Sequence, residues 1–208
     1  MDTALLPALL KGFMLSAGLI MAIGAQNMFV LRQGLKREHV WPIVMFCAAA
    51  DAMLIVAGVN GLGVLLSAVP GLSTALSLGG AAFLTWYGYG ALRRSMTPSR
   101  LIVDRQASVS LTAALASTAA FTFLNPHVYI DTVMLMGAIG TSMPADERPW
   151  FVIGGASASF AWFASLGFGA RFLAPLFARP MAWRVLDLLI ALMMAALAIS
   201  LLQSAFAG

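Results

Sequence analysis

The chain has 208 residues, of which 61% are hydrophobic and 10% charged, and its mean hydropathy is +0.92. A soluble domain carries about 25% charged residues, so a single water-soluble core is excluded and a polytopic membrane protein is the class that fits. The net charge of +4 does not point to nucleic acid, because the basic residues sit in short gaps between apolar runs, and the one cysteine, Cys47, excludes an internal disulfide.

Residues 12–31 form a first uncharged run, long enough to span a bilayer. No basic segment with a nearby small-residue cleavage site precedes it, so a cleaved signal peptide is not expected. The run ends at Arg32, and Arg32-Gln-Gly-Leu-Lys-Arg-Glu-His39 is a basic connection. A second run, 40–69, contains Asp51. Pro70-Gly71 is a turn signal without flanking charge and predicts a tight hairpin into a third run, 72–92. Residues 93–110 hold Arg93, Arg94, Arg100, Asp104, Arg105 and Pro98 and read as a linker between two halves. The fourth run, 111–141, is interrupted at Asn125-Pro126. The polar turn 143–149 leads to a fifth run, 150–170, and a connector with Pro175 and Pro180 leads to a sixth, 184–203.

The expected fold is therefore an all-α integral membrane protein with six transmembrane helices. Residues 1–92 would form one three-helix repeat and 111–208 a second, joined by the basic linker 93–110. An odd number of spans inverts the second copy relative to the first. Asn27 and Asn125 support the repeat, since each lies roughly 22 Å along its run at 1.5 Å per residue. With the N-terminus outside, ten of the twelve basic residues fall in inside loops, and only Lys11 and Arg148 fall outside. The positive-inside rule then puts both termini outside the cytoplasm and the linker within it.

The candidate site follows from what lipid penalises. A carboxylate near the bilayer midplane costs at least about 2.5–3.5 kcal/mol on insertion scales, and Asp51 is so placed. It would bind a cation or carry a proton, unless it only bonds neighbouring helices. Pro126 cannot donate a backbone bond and disfavours helix in Asn125 before it. The carbonyls one turn earlier then lose partners and suit an ammonium or guanidinium, although a plain proline kink explains the same break. His127 and Asp131 are four residues apart, on one helical face. Asp131 would steady the imidazole, or both would face the pathway. Gln26 and Asn27 offer neutral donors and acceptors beside Gly24 and Ala25, which permit close approach or local unwinding. The candidate residues are Gln26, Asn27, Asp51, Asn125, Pro126, His127 and Asp131. Cys47 reads as a packing residue, and Trp162 as one that departs from the interfacial pattern of the other tryptophans and lines the interior. No phosphate loop, His-Glu-x-x-His pair or Ser/His/Asp set is present, so neither an enzyme nor a cofactor is expected, and an ion gradient would drive transport.

Gly24-Ala-Gln-Asn-Met-Phe-Val-Leu-Arg-Gln-Gly-Leu-Lys-Arg-Glu-His39, Ala50-Asp-Ala-Met-Leu-Ile55 and Asn125-Pro-His-Val-Tyr-Ile-Asp-Thr-Val133 followed by Gly137-Ala-Ile-Gly140 resemble the signatures of the LysE-type basic amino-acid exporters. Length, span number and the basic linker extend the resemblance over the whole chain, and the last two spans match in character only. Branches that export neutral amino acids carry a Pro-Gly-Pro type motif where this chain has Gly24-Ala-Gln26. The resemblance implies export of L-arginine or L-lysine out of a bacterial cytoplasm, driven by the proton gradient or membrane potential, and across an inner membrane the orientation read from the basic residues makes both termini periplasmic. Its implied partners are the amino acid, membrane lipid and a proton or other coupling ion, and a homo-oligomer stays open. Three other readings compete: an exporter of a divalent metal cation or another small solute, a membrane enzyme, and a structural membrane protein without transport, which midplane carboxylates in both halves make costly. A divalent-metal exporter would use Asp51, Asp131, His127 and Cys47, though a dedicated metal site wants more ligands. A membrane enzyme would use His127 and Asp131 as acid and base but lacks a nucleophile.

Overall fold

A computed structural model describes residues 5–21, 24–62, 71–96 and 108–206. The body of the linker, residues 97–107, and Pro70 of the Pro70-Gly71 hairpin lie outside the described residues. Among the described residues the chain is helical without strands.

The first expected span is two helices rather than one. α1 (Leu5–Ile20) and α2 (Ala25–Lys36) meet at 85°. Gly24, in extended conformation, precedes α2. The bend is tolerable because Asn27 Nδ2 reaches back to the Ile20 carbonyl at 2.9 Å. A broken helix inside lipid needs such substitutes for its lost backbone bonds. Arg37 ends α2 with φ of 57°, and α3 (Val40–Val59) starts immediately after His39. Gly71, at φ +75°, leads into α4 (Leu72–Met96).

The second half begins in the same manner. Ser110 caps α5 (Leu111–Phe123) by accepting from the Ala113 amide at 3.2 Å. The helix stops at Leu124, as Asn125-Pro126 predicts. It resumes as α6 (Pro126–Val128), widens to a π-helical segment (Tyr129–Leu135) and returns to α-helix in α7 (Met136–Thr141). α8 (Arg148–Gly169) follows, then a 3₁₀ turn (Ala170–Leu173), the short α9 (Ala174–Phe177) and α10 (Pro180–Phe206). Among the described residues the chain thus has one helix break before α2 and another at Asn125-Pro126.

By length and apolarity, three stretches can cross a bilayer alone among the described residues: Val40–Val59, Arg148–Phe177 and Pro180–Phe206. The bent α1–α2 pair makes a fourth if it counts as one span. The expected six is therefore met only in part on this measure. α5 has 13 residues, short of a span. α4 is long enough, but its Ser, Thr, Gly and Tyr residues dilute its apolar character.

Packing is close where side chains are absent. In lipid, helices associate through van der Waals contact and small residues rather than through exclusion of water. A Cβ on Gly12 of α1 would fall 2.0 Å from the Phe151 carbonyl oxygen of α8, and one on Gly154 would fall 2.0 Å from the Leu9 carbonyl oxygen. α1 and α8 can touch backbone to backbone only with glycine at both places. α3 packs on α8 and on the π segment and α7, while α4 packs on α10. Fully buried Ile43, Val44 and Ile190 fill the interior. Leu192, Ile199 and Trp86 are among the large apolar side chains left exposed on the outer faces, as a lipid-facing surface requires.

Arg32, Lys36, Arg94 and Arg184 gather at one end. Arg32 of α2 and Arg94 of α4 both meet Asp187 of α10. Arg184 donates to the Ser95 carbonyl at 2.9 Å, and Lys36 pairs with Glu38 at 2.7 Å. His39 Nε2 contacts the Val109 carbonyl oxygen at 2.7 Å. α8 terminates at this end, beside Gly34. Arg148 starts α8, about 33 Å of helix away, and donates to the Thr141 and Met143 carbonyls.

Candidate functional site

Asp51 sits in the middle of α3 and is 7% exposed. Ser159 Oγ of α8 donates to its Oδ2 at 2.5 Å. A carboxylate withdrawn from water needs such donors, and α8 supplies this one from its buried face. Nothing in the sequence singles out Ser159, because a serine in an apolar helix is cheap and carries no charge signal.

Asn27 stands in the first turn of α2. Its amide nitrogen holds the Ile20 carbonyl, and its Oδ1 accepts from Trp162 Nε1 at 3.2 Å. Trp162 therefore faces the interior, as its unusual place in the fifth run suggested, and it fixes the bend between α1 and α2. Gln26 lies beside Asn27 with its Nε2 buried, and its side chain reaches Cys47.

The second break is built with different parts. Asn125 Oδ1 accepts from the His127 amide at 3.1 Å and caps α6. Pro126 is buried as the first residue of the resumed helix, where its missing N–H costs nothing. Tyr129 Oη donates to the Phe123 carbonyl at 2.9 Å. That bond satisfies, within the chain, one of the carbonyls freed by the break. Of the two arrangements expected for His127 and Asp131, a direct pair or both facing the pathway, the direct pair is not formed, and both residues line the cavity described below. His127 is exposed and precedes the π segment that carries Asp131, and no hydrogen bond or ion pair joins the two.

These residues nevertheless share one cavity of about 300 Å³, at the lower end of the roughly 300–1,000 Å³ typical of small-molecule sites. Gln26, Asn27, Asp51, Asn125, His127 and Asp131 all line it, while Pro126 does not. Thr132 and Ser200 add polar atoms, and Phe83 and Phe121 add aromatic faces. Neither lysine nor arginine is among the described lining residues, whereas two aspartates are. The first turns of α2 and α6 both open onto the space. Asn125 caps one of them, but no side chain caps Gly24 before the other. The dipole of α2 thus favours a negative group there. Among the described residues no three His, Cys, Asp or Glu side chains gather as ligands of one metal ion. Cys47 is fully buried and packs in the core.

The chain resembles known proteins over most of its length. The family model described as LysE type translocator matches residues 17–205. One protein of Mycobacterium bovis and two of Mycobacterium tuberculosis, strains CDC 1551 and H37Rv, each carry the name "Putative amino-acid transporter". Each is 46% identical over 181 residues, covering 87% of this chain and 90% of its own. No solved structure matches the chain.

Proposed function

Because the chain belongs to the LysE type translocator family, a family of membrane transporters, we propose that it exports basic amino acids, L-arginine or L-lysine, out of a bacterial cytoplasm. The observation that carries this reading is a cavity with two aspartates and, among its described lining residues, no cationic side chain. A basic amino acid brings two cationic groups and one carboxylate. Asp51 and Asp131 meet the first two. Gln26, Asn27 and the uncapped first turn of α2 meet the third. Magnitudes favour a basic over a neutral substrate. One ion pair at 4 Å is worth roughly 4 kcal/mol at an effective dielectric of 20, and a neutral amino acid would leave one aspartate without it. The names of the 46% identical relatives agree with an amino-acid substrate.

In this reading the broken helix of each half heads a three-helix repeat, 1–92 and 111–208, joined by the cytoplasmic linker 93–110. The repeats rock about the cavity to expose it to one face at a time. One aspartate holds the substrate while the other exchanges a proton, so that the proton gradient or membrane potential drives export. The basic end faces the cytoplasm of an inner-membrane protein, and both termini are periplasmic.

Calorimetric binding to the purified protein tests substrate class. L-arginine or L-lysine should bind, L-leucine and L-glutamate should not, and Asp131→Asn should weaken the basic ligand by at least about tenfold, one lost ion pair being worth more than 1.4 kcal/mol. Equal binding of leucine and arginine would overturn the basic specificity.

A further inference from the structure

Two layers separate the cavity from the basic end. The first is aromatic. Phe83 of α4 and Phe121 of α5 line the cavity, with ring centroids 4.8 Å apart. Behind them Tyr87 packs on Phe121 at 5.0 Å, and Phe29 of α2 packs on Phe121 at 5.3 Å. The second layer is ionic. The Arg94 guanidinium lies 6.0 Å from the centroid of the Tyr87 ring. Arg94 and Arg32 each donate through Nε to the same oxygen, Oδ1 of Asp187, at 3.2 Å. From Phe83 to Arg94 the two layers occupy about eleven residues of α4, roughly 16 Å. That is about half the 30 Å hydrocarbon core of a bilayer. The cavity lies on the far side, along the halves of α4 and α10 remote from the arginines.

The ionic layer is held by single contacts rather than by a bidentate pair. Arginine–carboxylate pairs are frequently bidentate, which makes them stronger and fixes their geometry. Here two arginines share one oxygen, each through a single Nε. Among the described residues the buried Arg94 Nη2 has no acceptor, so this arrangement leaves a donor unsatisfied there. Asp187 is 5% exposed and outnumbered by guanidinium groups, which gives the closed layer a net positive charge that repels a cation. The contact joins α2, α4 and α10, three helices drawn from both halves of the chain.

We propose that Asp187, bound by Arg32 and Arg94 and backed by the layer of Phe29, Phe83, Tyr87 and Phe121, is the gate between the cytoplasm and the cavity. Release of the two arginines from Asp187 lets α2 and α4 part from α10 and opens the path. The gate presupposes that the basic end faces the cytoplasm, as in the function proposed above. It does not depend on which amino acid is carried.

Thiol labelling tests it without substrate. Cys47→Ala removes the sole cysteine, and Ser200→Cys places one in the cavity wall. A membrane-impermeant maleimide is then applied to inside-out and to right-side-out vesicles. Asp187→Asn should raise the labelling rate in inside-out vesicles by about fivefold or more, and Asp187→Glu should stay near the parent. Arg94→Gln, which keeps the Arg32 contact, should give a smaller rise, and it decides the matter if Asp187→Asn does not reach the membrane. Unchanged rates in inside-out vesicles, or a rise only in right-side-out vesicles, would overturn the gate. Because no amino acid is added, that failure leaves the basic-substrate reading standing, and a negative binding result leaves the gate standing.

Discussion

Asp51 depends on Ser159, and the dependence is measurable. A hydrogen bond to a charged group contributes about 1.5–3 kcal/mol. Removing the donor by Ser159→Ala leaves the buried carboxylate without that partner. Transport by the variant should fall by about tenfold or more while expression and folding persist, since serine and alanine differ little in volume. Full transport by Ser159→Ala would separate the hydrogen bond from function. Asp51 itself was legible in the sequence because one charge inside a long apolar run is costly and conspicuous. Ser159 was not, because a hydroxyl in a membrane helix also satisfies itself on a carbonyl one turn back, as Ser157 does on Ile153. Asp187 was open to the same logic as Asp51. It lies in the sixth apolar run, but three residues from Arg184 it passes for part of a loop boundary.

At the scale of elements, the break at Asn125-Pro126 was readable because proline removes a donor and biases the residue before it. The break before α2 carries no proline. Its signals were Gly24 and the pair Gln26-Asn27, which permit a bend without demanding one, so one continuous span was expected where two helices stand. The long contact between α1 and α8 was legible only as a general abundance of glycine, and which glycines matter is a tertiary fact. Gly12 meets the Phe151 backbone, whereas a methyl group added at Gly18 would have nothing within 4 Å. Gly12→Ala should therefore cost about 1–3 kcal/mol of stability through overpacking, and Gly18→Ala should not. Thermal unfolding of the two variants in one detergent checks the contrast, and equal midpoints would contradict the packing described.

Across the whole molecule, apolar composition and the clustering of cationic residues carried the membrane class and the basic end. The span count was less secure, since hydropathy sees lipid exposure and α4 and α5 owe their places to packing within the bundle. The meeting of both broken helices at one cavity was foreseeable from the matched depth of Asn27 and Asn125. The division of tasks around it was not, because Asn27 tethers a carbonyl while Asn125 caps an amide. The central claim is that two aspartates in this cavity serve the export of a basic amino acid. Its most direct test is efflux of radiolabelled L-arginine and L-lysine from loaded cells, comparing the wild type with Asp51→Asn at equal membrane abundance. The account predicts potential-sensitive efflux of at least one of them from the wild type and none above background from Asp51→Asn. Absence of efflux for both from a folded wild-type protein, or undiminished efflux from the variant, would contradict it.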